Sequence, residues 1–220
     1  MNPALISELS NYPLARFKTS ETIICQGTSI DHVYYLVKGS CKRILNTYDG
    51  KGIVLDYLDA NGSINCFIGA LSAYRDRNEY GSSFQAASPC ELRKIPKNEF
   101  KALFRDNPDL MEEFLASVIK RYDSLKNNFA SRQSGNTPAS LCQLILDQSE
   151  DVGGSLRWNR QMTYEEIGRY IGVHRVTVSK MIAALVETGV LIRDFDSFAI
   201  LNESALAKYS RSEMLLRYTD

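Results

Sequence analysis

The sequence predicts an α+β fold: an N-terminal jelly-roll β-barrel, a long central helix and a C-terminal winged helix-turn-helix. Three observations predict it. Turn signals at Gly27, Lys38-Gly39, Asp49-Gly50 and Asn61-Gly62 recur every roughly 11 to 12 residues and cut the first half into short β-rich runs, the spacing of a sandwich or barrel. A helical pattern of apolar residues then runs from Asp109 to about Ser131. Beyond it, Met162 to Ile192 carries a cap, a turn glycine and two apolar stripes at helical spacing.

The 220 residues suffice for two modest domains, each with its own core. The expected division is 1–108 for the barrel, 109–133 for the central helix, 134–138 for a hinge and 139–220 for the helix-turn-helix module. Residues up to about Tyr12 read as a short leading helix or arm. They lack a basic stretch followed by a long apolar run, and nowhere do 18 apolar residues follow one another, so a cytoplasmic protein with no membrane contact is expected. Five cysteines, Cys25, Cys41, Cys66, Cys90 and Cys142, show no C-x-x-C spacing and are odd in number. They read as reduced, buried thiols.

The barrel strands are TIICQG, HVYYLVKGSCKRILN, GIVLDYL, SINCFIG and SSFQAASPCELRKI. His32 and His174 are the only histidines, too few and too far apart for the clustered ligands of a metal-dependent barrel enzyme. No metal, cofactor or catalytic constellation is expected, and the chain does not read as an enzyme. Pro96 to Phe100 opens a short helix that ends before Asn107-Pro108. On the central helix Leu110, Phe114, Val118, Tyr122, Leu125 and Phe129 are spaced by fours and a three, close to a two-stranded coiled-coil seam. This predicts a homodimer, with Met111, Leu115 and Ile119 left to serve the barrel. Gln133 to Pro138 is the hinge, Ala139 to Gln148 the first helix of the last module, and Ser149 to Leu156 has the composition of a loop.

The helix-turn-helix is specified almost residue by residue. Thr163 and Glu166 have capping-box spacing, and Ile167, Tyr170 and Ile171 form the buried side of the first helix. Gly172 allows a left-handed turn and Val173 plugs the corner. The second helix starts near His174 or Arg175, buries Val178, Met181, Ile182 and Leu185, and stops at Gly189. A two-stranded wing follows around an Asp196-Ser197 turn. On the outward face of the second helix lie Val176, Ser179, Lys180 and Ala183, with Arg175 in the first turn. Short side chains flanked by cations suit a helix entering a DNA major groove. The chain is neutral, with 26 basic and 26 acidic residues, and the module from Thr137 to Asp220 holds 9 Lys and Arg against 11 Asp and Glu. DNA affinity must therefore come from a local patch: Arg157, Arg160, Arg169, Arg175 and Lys180, against Glu165 and Glu166.

Taken together, VYYLVKGSCK at 33–42, DGKGIVLDYL at 49–58, PCELRKIPKNEFKALFRDNPDL at 89–110 and EEIGRYIGVHRVTVSKMIAAL at 165–185 resemble the CRP/FNR superfamily of bacterial transcription factors. The resemblance spans almost the whole chain. It implies a cyclic-nucleotide-binding-like barrel and a homodimer in which an effector between barrel and central helix reorients the DNA-binding modules. Arg175, Val176 and Lys180 match the family's base-reading positions, and Thr163 and Thr177 its phosphate contacts; Ser179 joins them on the outward face. Many members carry Glu where Val176 stands. A carboxylate accepts from cytosine N4, whereas valine packs on a thymine methyl, so an inverted repeat with A/T-rich half-sites is expected. The HxVTVS run is similar to the branch that regulates reductive dehalogenation. Ser149 to Leu156 corresponds to a surface that members can present to RNA polymerase.

Cyclic-nucleotide binders of the family carry Gly-Glu for the ribose and Arg-Ser or Arg-Thr for the cyclic phosphate. Here Gly69-Ala70 and Tyr80-Gly81 stand there, and a polar pair of the central helix is replaced by Leu125-Lys126. Cyclic AMP is therefore not the expected effector, although Arg75 and Arg77 leave room for a shifted cation. Iron–sulfur sensing needs clustered cysteines, and haem sensing needs axial ligands near residue 75; both are missing. The remaining candidate is a small anionic or phenolic molecule held by Tyr74, Arg75, Arg77, Tyr80, Tyr122 and Lys126. An effector-independent binder and a cysteine redox switch are the alternatives.

Overall fold

The structure is a computed structural model, and it describes residues 8–133, 135–159, 162–195 and 197–218. The expected turn residue Asp196, the hinge residue Ser134, the patch residue Arg160 and most of the leading arm lie outside them. The chain forms two compact units that divide between Ile119 and Lys120.

The first unit is built from eight antiparallel strands, β1 (Leu14–Phe17), β2 (Thr22–Ile24), β3 (His32–Lys38), β4 (Ser40–Asn46), β5 (Gly52–Asp59), β6 (Phe67–Ile68), β7 (Ser83–Ala86) and β8 (Cys90–Pro96). They form two sheets, ordered β1-β8-β3-β6 and β2-β7-β4-β5. Apart from β4 and β5, which pair directly, consecutive strands fall in different sheets, the mark of the expected jelly roll. On β3, Val33, Tyr35 and Leu36 are buried, and on β8, Cys90, Leu92 and Ile95.

One strand lies ahead of the expected runs and one reading is corrected. Leu14–Phe17, between the leading arm and TIICQG, is β1 and pairs with Cys90–Arg93. SINCFIG is mostly not a strand: Ser63 caps a 3-10 turn at Ile64–Cys66 by accepting from the Asn65 N–H, and only Phe67 and Ile68 remain extended. A serine that competes for backbone N–H groups favours a cap over a ladder.

Helix α1 (Ala70–Ala73) follows β6, and α2 (Lys97–Asp106) follows β8. Helix α2 lays Phe100, Leu103 and Phe104 on the sheet. Its rings join a cluster in which Phe67 lies 5.4 Å from Phe100 and 5.5 Å from Phe104. Tilted and edge-on contacts of this kind add to area burial.

Helix α3 (Pro108–Gln133) is the expected long helix, but its faces are not as the spacing suggested. Leu110 and Phe114, assigned to a dimer seam, are buried in the barrel core, with Met111 and Val118 packed against it. Leu115 and Ile119, assigned to the barrel, are 55% and 52% exposed. The cause is helical geometry. A row stepping by four residues drifts about 40° per step, so a line from Leu110 to Tyr122 has turned by about 120°. Leu115, Ile119, Tyr122 and Phe129, spaced four, three and seven, make the row that remains uncovered.

The second unit contains α4 (Thr137–Asp147), strands β9 (Ser149–Val152) and β10 (Ser155–Asn159), helices α5 (Tyr164–Ile171) and α6 (Arg175–Glu187), strands β11 (Leu191–Asp194) and β12 (Ser197–Ile200), and α7 (Glu203–Ser210). The expected wing, β11 and β12, belongs to a four-stranded sheet ordered β11-β12-β10-β9. Residues Ser149 to Leu156, read as a loop, are a hairpin instead. Its turn uses two left-handed positions, supplied by Gly153 and Gly154, and the Gly154 N–H donates to Asp151 Oδ1 at 2.7 Å. Trp158 anchors the sheet. It is fully buried, stacks on Phe198 at 5.4 Å, and its indole N–H donates to Gln148 Oε1 at 3.0 Å. No helix among the described residues is long and apolar enough to cross a membrane.

Candidate functional site

The helix-turn-helix is assembled as its residues dictate. The Thr163 hydroxyl accepts from the Glu166 N–H at 3.2 Å while Glu166 Oε2 accepts from the Thr163 N–H at 2.9 Å, a complete capping box. Gly172 sits at φ 82° and ends α5. His174 caps α6 through Nδ1, which accepts from the Val176 N–H at 3.4 Å. Val178, Met181, Ile182 and Leu185 are buried. One residue that sequence reasoning passed over controls the geometry. A Cβ on Gly168 would stand 2.6 Å from the Val173 carbonyl oxygen, so the start of the recognition helix approaches α5 backbone to backbone. A small residue one turn before the turn glycine was the available signal.

The outward face is open. Arg175, Val176, Ser179 and Ala183 are exposed, and Thr177 and Lys180 half-buried. The Thr163 hydroxyl is committed to its cap. The cationic patch is smaller than its sequence count. Arg157 is paired with Asp194 and Arg169 with Glu165 at 2.6 Å, whereas Arg175 and Lys180 make no ion pair among the described residues. An acid two strands away in the sheet and one at i, i+4 on a helix take up the first two. Among the described residues of the patch, the cations without an ion pair are those on α6.

The expected effector residues divide between the two units. In the first, Tyr74 is exposed, meets Phe100 edge-on at 6.1 Å, and has Lys101 Nζ 5.5 Å from its ring centre. Burial of part of the ring lifts its phenol above the ordinary value. The Arg75 guanidinium lies against Gly81, where a Cβ would be 2.0 Å from Nη1. The Gly81 N–H donates to the buried Ser72 hydroxyl at 3.2 Å. Arg77 is exposed. Tyr80 is a core residue: its ring fills the space beside Gly69, its hydroxyl donates to the His32 carbonyl, and burial pushes its phenol up to about 12. In the second unit, Tyr122 and Lys126 are both exposed on α3, with Lys126 Nζ 5.7 Å from the Tyr122 ring centre and 2.6 Å from Asp123.

A charged pair that sequence reasoning passed over lies inside the barrel. Arg43 on β4 faces Asp56 on β5, with Nη2 donating to Oδ2 at 2.6 Å. Alternate charged residues in a strand read as a solvent face, and only the register shows these two turned inward. Of the cysteines, Cys41, Cys66, Cys90 and Cys142 are buried and Cys25 is exposed. Burial raises the thiols of Cys41 and Cys90 and pushes Cys142 up to about 12. Among the described residues no cluster of three metal-ligating side chains occurs.

A barrel with a reading helix on a separate module defines a two-part sensor and DNA-binding protein, and the comparisons agree. Residues 14–107 match the cyclic nucleotide-binding domain family and residues 139–209 the Crp-like helix-turn-helix domain family. The chain belongs to the CRP/FNR family of DNA-binding transcription regulators, not to an enzyme family. It is 24% identical over 193 residues to the cAMP-activated global transcriptional regulator CRP of Escherichia coli O6:H1, covering 86% of this chain and 90% of that one. Among solved structures it resembles CprK in complex with OCPA, with a TM-score of 0.66 and 20% identity over 93% of this chain and 94% of that one. It also resembles the c-di-GMP responsive global regulator CLP of Xanthomonas campestris, with a TM-score of 0.67 and 17% identity over 90% of this chain and 99% of that one.

Proposed function

We propose that the chain acts as a homodimer whose affinity for an inverted-repeat operator is gated by a small organic effector other than cyclic AMP. The observation that carries the effector reading is Arg75, whose guanidinium rests on Gly81 in the segment where cyclic-nucleotide binders of the family place their own arginine. A cation there without a neighbouring acid at Ala70 suits an anionic molecule that has no ribose to bind. The relatives support a change of effector on one fold, since their names specify cAMP for one and c-di-GMP for another. Tyr74, Arg77 and Tyr80 belong to the same barrel segment, and the parts given to Tyr122 and Lys126 rest on the family resemblance. The raised thiols weigh against a redox switch at Cys41, Cys90 or Cys142, because the thiolate is the reactive form.

Dimerisation is supported by the uncovered apolar row Leu115, Ile119, Tyr122 and Phe129, 52% to 65% exposed. Two copies would set their recognition helices into successive major grooves about 34 Å apart. Arg175 and Lys180 would contact bases, Thr177 and Thr163 phosphates through hydroxyl or backbone groups, and Val176 a thymine methyl in an A/T-rich half-site, with Ser179 allowing close approach. The β9–β10 hairpin is the surface available to RNA polymerase. The division into barrel, central helix, hinge and DNA-binding module is part of this proposal; the two compact units part within α3, between Ile119 and Lys120. Operator selection from random DNA at fixed salt, with and without a bacterial metabolite extract, tests the reading. A palindromic A/T-rich site recovered only with extract is the expected result; equal recovery without extract leaves an effector-independent binder.

A further inference from the structure

The outer face of the first sheet carries a cavity of about 710 Å3, within the roughly 300–1,000 Å3 of small-molecule sites. Register shows which face it is. Val33 and Ile95 lie opposite each other on β3 and β8 and are fully buried in the barrel core. Successive side chains of a strand point to opposite faces, so the pairs on either side, His32 with Pro96 and Tyr34 with Lys94, turn away from that core. His32, Lys94 and Pro96 line the cavity from the sheet, Glu99 from α2, and Glu8 and Tyr12 from the leading segment. The wall made by the leading segment is held in place. Leu9 is buried in the barrel core, the Arg93 guanidinium donates to the Tyr12 carbonyl at 2.8 Å, and the Lys94 N–H donates to the Pro13 carbonyl at 2.9 Å.

The lining carries both signs of charge without pairing them. Lys94, Glu8 and Glu99 make no ion pair among the described residues. Their charges are felt by the neutral groups between them. Burial, a hydrogen bond to Glu99 and the charges of Glu99 and Glu8 lift the Tyr12 phenol above its ordinary value, while burial and the Lys94 charge lower the His32 imidazole. These walls are partly withdrawn from water, where a charge acts more strongly than in bulk solvent. The acids do not converge on one point, since among the described residues no three His, Cys, Asp or Glu side chains could hold a metal ion. A molecule with its charges spread out fits better than a single cation. One ammonium against two carboxylates calls for the inverse set on the ligand. We propose that this cavity binds a dibasic amino acid, its carboxylate taken by the Lys94 ammonium and a ring N–H of His32, and its two ammonium groups by Glu8 and Glu99. The occupant is a second ligand on the outside of the sheet, independent of any effector in the barrel interior.

The test uses the full chain, isotope-labelled on its histidine rings and titrated with free lysine, ornithine and arginine. Norleucine, lacking the second ammonium, and cadaverine, lacking the carboxylate, are the controls. His32 and His174 are the only histidines, so the spectrum carries its own reference: the His32 resonance moves with ligand, and that of His174, in the other unit, stays. At least one dibasic amino acid binds, and both controls bind at least about tenfold more weakly, the loss of one charged contact. Lys94→Met keeps the aliphatic stem, leaves Tm unchanged and brings the dibasic amino acid down to the affinity of cadaverine. Glu8→Gln, at an exposed side chain, weakens the dibasic amino acid by a similar factor. A His32 resonance unmoved by all three amino acids overturns the proposal, as does norleucine or cadaverine binding as tightly, or a Lys94→Met chain that binds like the wild type.

Discussion

The reading helix and the barrel interior are organised in opposite ways. On α6 every outward residue, from Arg175 to Ala183, comes from nine consecutive positions, and a fixed rotation per residue decides which face solvent. In the barrel, Arg43, Asp56 and Phe84 come from three strands and meet only through register. A local site can be redrawn without touching its scaffold. A site made by register shares its residues with the core.

The sharpest way to break this comparison is inside the local site. Gly168→Ala pushes a Cβ to 2.6 Å from the Val173 carbonyl, an overpacking against backbone that costs about 1–3 kcal/mol. It is expected to lower Tm and to abolish operator binding; full binding with unchanged Tm would mean the turn opens freely. Arg175→Ala should instead leave Tm alone and weaken operator binding by about 1–3 kcal/mol, the worth of one good base contact, measured by gel shift on a fixed site. Val176→Glu sharpens the same point. It should move the preferred pair at one half-site position from A·T to G·C, by a similar magnitude, in a binding selection.

In the barrel a conservative change is felt by the fold. Tyr80→Phe removes the hydrogen bond to the His32 carbonyl and should cost about 1 kcal/mol in chemical denaturation. It should also alter the alkaline limb. The Tyr80 phenol is held neutral up to about 12 by burial, so its contribution is complete below the ordinary tyrosine pKa and fades as pH rises through it, because the unfolded chain then releases the proton first. The variant should lose stability less steeply there. The smallest effect is at His32, whose pKa is lowered by burial and by Lys94. Its contribution is present above the ordinary histidine value and lost as pH falls below it; His32→Gln should flatten that slope in a stability–pH profile.

The same contrast explains what could be read in advance. The capping box at Thr163, the turn at Gly172 and the buried stripe from Val178 to Leu185 are short-range signals, and each stands where its spacing put it. The jelly roll was legible from regular turn spacing, but the inward aim of Arg43 and Asp56 was not, because pairing partners lie 13 residues apart and a one-residue slip exchanges the faces. On α3 the apolar positions were evident while their sharing was misjudged, since two adjacent faces are apolar: Leu110, Phe114 and Val118 meet the barrel, while Leu115 and Ile119, about 100° further round, stay open. The β9–β10 hairpin was missed because Glu150 and Asp151 are poor strand formers, and the two glycines between the strands, together with Trp158, were the signals that outweighed them.

The contact at Gly168 carries one more consequence. Because α5 and the start of α6 touch through main-chain atoms, that contact uses none of the side chains of Arg175, Val176 and Lys180. The address of the reading head and its mounting are therefore separate parts. Replacing Arg175, Val176 and Lys180 together should redirect the protein to a new operator with the same half-site spacing, which makes the module a socket for engineered specificities.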